Sequence, residues 1–153
     1  MAKAQEPRRG SGVMVARAKA RLEEPDVYAA GCPSRGVLEH ITSQWGVLAL
    51  ASLTEGTHRF SELRKKIGGV SEKMLAQTLQ ALERDGFVRR VVFPVVPPRV
   101  EYSLTPMGTD VAQWVVGLTD WVEENLPRVN DARRRYARQE SPRSAQSRAS
   151  ERR

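Results

Sequence analysis

The stretch that most constrains the fold is SELRKKIGGVSEKMLAQTLQALERDG, Ser61 to Gly86. It reads as two amphipathic helices held together by a glycine turn. Ser61 is suited to cap a first, short helix whose buried side carries Leu63 and Ile67, four residues apart. Gly68-Gly69 supplies a residue free to take positive φ and so ends it. Ser71 then caps a second helix, with Val70 and Leu75 at the two positions of a hydrophobic staple. Two helices joined this tightly make the pattern of a helix-turn-helix. At ~100° per residue, Leu75, Leu79 and Leu82 share one face of the second helix, while Lys73, Gln77, Gln80 and Arg84 form an opposite stripe about 60° wide. That stripe holds no acid, because Glu72 and Glu83 lie to its side. Lysine and glutamine are side chains able to address purine edges in a major groove; a plain solvated face is the alternative.

The flanks extend the pattern. Val37, Leu38, Ile41 and Trp45 recur at helical spacing, which predicts a helix from near Ser34. A second helix is expected from about Gln44 to Thr54, stopping at Gly56, and His58 to Phe60 can form a short strand. Beyond Gly86, FVRRVVF and VEYSL read as two strands, the latter alternating Val100, Tyr102 and Leu104 with polar residues. Pro94, Pro97 and Pro98 fall between them, in a six-residue connection with no Asn-Gly or Asp-Gly turn. A helix-turn-helix followed by a hairpin with an extended tip is a winged helix, with the wing at 94–99. The fold class expected is therefore mainly α with a small antiparallel β-hairpin. Thr105 and Pro106 then open a last helix, as cap and first residue. Along it Met107, Val111, Trp114, Val115, Leu118, Trp121, Val122 and Leu126 recur every three or four positions. Val111, Trp114, Leu118 and Trp121 are candidates for a dimer interface, since aromatic anchors dominate such surfaces. Packing within the chain is the alternative.

Composition sets the boundaries. Residues 1–26 lack apolar periodicity, and from 128 to 153 the chain is rich in Arg, Ser, Ala and Gln; both are expected to be flexible or frayed tails around a domain at 27–127. The tails hold fifteen basic and seven acidic side chains, whereas the 27–127 core holds ten and eleven. Within the core, Arg59 to Arg99 carries nine basic against four acidic residues, a cationic section suited to a polyanion. No stretch is long and apolar enough to span a bilayer, and the polar N-terminus has no secretory signal. With one cysteine, Cys32, no internal disulfide can form, and a cytoplasmic protein is expected. His40 and His58 are isolated, with no metal-ligand spacing and no phosphate-binding glycine loop, so neither an enzyme, a metal nor a cofactor is expected.

Taken in order, CP before the first helix, the tryptophan of QWGVL, RFSEL, VSEKML, LERDGFVRR and PPRVEYSLTPMG resemble the HxlR-type winged helix-turn-helix transcriptional regulators, relatives of the MarR-like group. The resemblance covers about residues 32–125. It implies a homodimeric DNA-binding regulator, a repressor more readily than an activator, on a palindromic double-stranded operator, with the helix at 71–85 in the major groove. Ser71, Lys73, Met74 and Gln77 are then placed at base edges, and Arg64, Lys65 and Arg99 at phosphates. Where the family commonly has Gly-Gly-Lys before the tryptophan, this chain has Thr42, Ser43 and Gln44. Some relatives sense oxidants through a cysteine at the CP position, so Cys32 is a candidate redox sensor, the alternative being an ordinary packed cysteine. A small-molecule or redox effector is compatible with this pattern, and a protein-interaction module built on the same fold is the competing function.

Overall fold

The computed structural model describes residues 25–150, with side chains to Gln139. Its elements run α1 (Ser34–Thr42), α2 (Gln44–Leu53), β1 (His58–Arg59), α3 (Phe60–Lys66), α4 (Glu72–Arg84), β2 (Val88–Phe93), β3 (Arg99–Leu104) and α5 (Pro106–Ser150). The fold class is as expected, mostly helical with one small antiparallel sheet. That sheet has three strands in the order β1-β3-β2, so the returning strand of the hairpin is central. Its register pairs Val88 with Leu104 and Phe93 with Arg99 on one side, and His58 with Tyr102 on the other.

The core gathers one face of every helix from α2 onward, with Val88 of β2 and Tyr102 of β3. Leu50 of α2, Leu63 of α3 and Leu75, Leu79 and Leu82 of α4 are fully buried, and Ala112 and Val115 of α5 close the cluster. The spacing of these leucines is the helical period read in the sequence. Of β3, only Tyr102 is buried; its ring meets Phe60 at 6.4 Å between centroids, which fastens the sheet to α3.

Two local features differ from the sequence reading, at the start of α3 and the end of α5, and a third, the cap of α2, adds to it. Helix α3 begins at Phe60, one residue before Ser61, and its N-cap is Arg59. The cap is supplied from inside: Glu62 Oε2 accepts the Arg59 backbone N–H at 2.7 Å, the returning half of a capping box. Ser43, where the family pattern has glycine, caps α2 by accepting the Gly46 N–H at 3.1 Å. Most importantly, α5 does not stop near residue 127, where composition predicts a frayed tail, but continues to Ser150. Arg, Ala, Glu and Gln are strong helix formers and no glycine follows Gly117, which works against the missing N–H groups of Pro127 and Pro142. Of the N-terminal tail expected over residues 1–26, all but the last two residues lie outside the described part.

The start of α5 is joined tightly to the end of α4. The Thr105 hydroxyl donates to the Gly86 carbonyl at 2.6 Å and accepts the Gly108 N–H at 3.0 Å, while the Thr105 backbone N–H donates to Phe87 O at 3.0 Å. Gly108 allows this approach: a Cβ there would lie 1.9 Å from Phe87 O.

Candidate nucleic-acid interface

Helix α4 is anchored from behind and capped in front. Gly69, at φ +87°, turns the chain in a conformation that a side chain would disfavour. Ser71 then accepts the Met74 N–H at 3.1 Å and, as a hydroxyl, keeps its own proton available to a ligand. With the leucines buried, Lys73, Gln77 and Gln80 stand exposed on the outer face. They line a cleft of ≈ 450 Å³ between α4 and the sheet, completed by Ala76, Glu83, Arg90 and Tyr102.

Of the four residues predicted at base edges, Lys73 and Gln77 share this cleft. Met74 instead lines a second one of ≈ 310 Å³, toward α1, with Glu39, His40, Ser43, Gln77, Thr78 and Ala81. Gln77 belongs to both clefts and so forms the ridge between them. Behind that ridge, His40 Nδ1 lies 2.6 Å from Asp85 Oδ2, linking α1 to the C-cap of α4.

The residues predicted at phosphates are more varied. Lys65 is exposed on α3, beside Thr57, His58 and Glu62. Arg64 is exposed but donates to Glu72 Oε1 at 2.7 Å, across the turn of the motif. Arg99 is not part of the protruding tip. It is the first residue of β3, its guanidinium stacks 4.2 Å from the Phe93 ring centre, and its Nε lies 3.2 Å from Glu101 Oε1. The tip itself is apolar: Val96 is fully exposed, Val95 half so, and the three prolines flank them.

Arg90 is the residue that sequence reasoning missed. It is exposed on β2 and brought opposite α4 by its pairing with Tyr102. A signal was present, since two adjacent arginines in a strand must point to opposite faces, and one of those faces meets the preceding helix.

The predicted dimer residues divide similarly. Val111 is half-buried against the chain's own core, whereas Trp114, Leu118 and Trp121 are exposed, Trp114 to 79%. Helix α1 buries no residue at all, and its Val37 and Leu38 are exposed. Cys32 is half-buried just before α1, with Sγ 3.0 Å from the Ser34 hydroxyl. Hydrogen bonds from the Ser34 side chain and then its backbone stabilise the thiolate and lower the pKa of the thiol. Among the described residues there is no cluster of metal-ligating side chains, and no helix is long and apolar enough to cross a membrane.

A capped, outward-facing polar helix beside a basic hairpin defines a winged helix-turn-helix DNA-binding regulator. The chain belongs to the HxlR-like helix-turn-helix family, whose model matches residues 40–130. It is 65% identical over 109 residues to the HTH-type transcriptional regulator YtfH of Escherichia coli, covering 71% of this chain and 86% of that one. The solved structure of a transcriptional regulator, ytfH from Salmonella typhimurium, aligns with a TM-score of 0.70 at 64% identity, over 72% of this chain and 98% of that one. The redox regulator HypR in its oxidised form aligns at 0.56 and 36% identity, over 61% and 97%. The family is one of transcriptional regulators, not of enzymes.

Proposed function

We propose that this chain acts in the cytoplasm as a homodimeric repressor on a palindromic operator. Helix α4 enters the major groove, and the cleft between α4 and the wing receives the flanking phosphate backbone. The observation that carries this reading is the continuous exposed surface of Lys73, Gln77, Gln80 and Arg90, backed by a rigid leucine face. Gln77, on its ridge, is the base-reading residue of choice; Ser71, Lys73 and Met74 surround it. Lys65 and Arg90 serve phosphates. Arg64 can join them by giving up its hydrogen bond to Glu72, and Arg99 by loosening its ion pair with Glu101. Two-fold pairing through Trp114, Leu118 and Trp121 with the unburied α1 supplies the second reading helix. The apolar stripe of α5 continues on the same side through Val129, Ala132 and Tyr136, about 100–160° around the helix from Asp131.

Selection of binding sites from random DNA, followed by fluorescence anisotropy at several salt concentrations, tests the reading. A recovered palindrome with half-sites about 34 Å apart is expected. No sequence preference, with no salt dependence, would instead favour a protein-interaction module.

Cys32 is the proposed effector site. Its support is the thiol's stabilised anionic form and the likeness to a redox regulator. As the chain's one cysteine, it would respond by a mixed disulfide or a bond to the partner copy. Unchanged operator release by diamide in Cys32→Ser would remove this role and leave Cys32 a packing residue.

A further inference from the structure

Helix α5 runs twenty residues past the point where the family match ends, residue 130. The ytfH structure aligns over almost its whole length with less than three quarters of this chain, so the DNA-reading module is complete without that extension. At 1.5 Å per residue the extension carries the helix about 30 Å further, close to one turn of B-DNA.

Its side chains are arranged, not merely basic. Of the exposed arginines past residue 130, Arg134, Arg135 and Arg138 fall within an arc of about 100° at ~100° per residue, Arg128 stands just before them on the same side, and Arg133 lies on the other side. Asp131 shares the arc and pairs with Arg134, and Arg128 donates to Asn125 Oδ1 at 2.7 Å. Earlier on the same side of α5 stand Asp110, Asp120 and Glu124, so the face changes from acidic to arginine-rich where the module ends. The apolar stripe, which Arg133 borders, lies opposite; in the proposed dimer it would face a second copy and leave Arg134, Arg135 and Arg138 outward.

Charge decides the partner. The 27–127 core holds ten basic and eleven acidic residues, and so has no net attraction for a polyanion. Its reading surface is cationic only locally. We infer that the arginine face of the α5 extension is a second DNA-binding element, which holds the phosphate backbone without regard to sequence and supplies much of the salt-dependent affinity of the full chain. This rests on the DNA-binding reading and adds to it an electrostatic arm outside the family's module.

The test uses the full chain with R134Q, R135Q and R138Q combined; glutamine keeps helix propensity and removes three charges. Affinity for the selected operator, with about 15 base pairs of flanking DNA on each side, and for an unrelated duplex is measured across salt concentrations. Each lost phosphate contact lowers the slope of log K against log salt by about 0.9 for B-DNA, so a drop of roughly 2 to 3 per engaged arm is expected on both duplexes. The preference for operator over unrelated DNA stays the same or rises, and the triple lysine variant recovers the slope. Two results would overturn the inference: an unchanged slope in the glutamine variant, or a weakened dimer by sedimentation, which would assign the arm to the partner copy. Absence of binding by the wild-type chain would sink the DNA-binding reading together with this inference, whereas wild-type binding with an unchanged slope sinks the arm alone.

Discussion

Gln77 and Arg90 make opposite predictions from neighbouring positions. A glutamine reading a base edge contributes to discrimination, so Gln77→Ala should compress the operator preference by about 1–3 kcal/mol while leaving the salt slope intact. Arg90→Ala should weaken all sequences alike and lower the slope by about 1. Anisotropy titrations on matched and mismatched duplexes separate the two, and equal effects from both variants would contradict the docking. Cys32 gives a pH prediction. The Ser34 hydroxyl stabilises the thiolate, so the folded thiol titrates below its ordinary range and alkylation reaches its half-maximal rate at a lower pH than for a free cysteine. Ser34→Ala should move that midpoint upward; a midpoint that stays put would mean the contact is without chemical effect. Arg99 shows what a sequence hides at this scale. Its position after two prolines suggests a free side chain, but the strand begins one residue earlier than the alternation indicates, and Phe93 and Glu101 become its neighbours. A cross-strand partner depends on register, and register is not visible in a single strand.

The helices were readable wherever local chemistry and burial agreed. Leu75, Leu79 and Leu82 announce the buried side of α4, and Ser71 its start, because caps and periodicity are properties of a few adjacent residues. The α5 extension was not readable for the converse reason: its composition resembles that of a solvated tail, and its helicity shows in propensity rather than in an apolar core face. Two substitutions test how the elements hold together. Leu79→Ala, at a site only 1% exposed, should cost about 2–5 kcal/mol in urea denaturation, with m unchanged. Gly108→Ala forces a Cβ into the Phe87 carbonyl and must push α5 off the α4–β2 turn. It should lower the thermal midpoint more than Gly117→Ala, where nothing lies within 4 Å of the added carbon. Equal midpoints for the two would show that the junction yields easily.

For the whole molecule the decisive surface is the one that a single copy leaves open. Trp114 and Trp121 together, replaced by glutamate, should convert a dimer to a monomer in sedimentation velocity and abolish binding to the two-half-site operator. A variant that remains dimeric would place the interface elsewhere. Inserting about five base pairs between the half-sites turns them to opposite faces of the duplex and should reduce affinity to the non-specific level. The Thr105 junction gives that spacing a mechanical meaning. Helix α5 is fixed to the reading unit by the Thr105 clamp and by Ala112 and Val115 in the core, so in the proposed dimer the angle between two copies and the angle of each reading helix would change together. Helix α4 is about 20 Å long, and a pivot of about 10° on a lever of that length shifts its far end by roughly 3.5 Å, the rise of one base-pair step. The proposed dimer would thus be a pair of calipers whose jaw opening is graduated in base pairs, and a small twist at the handle would be enough to misread the scale by one.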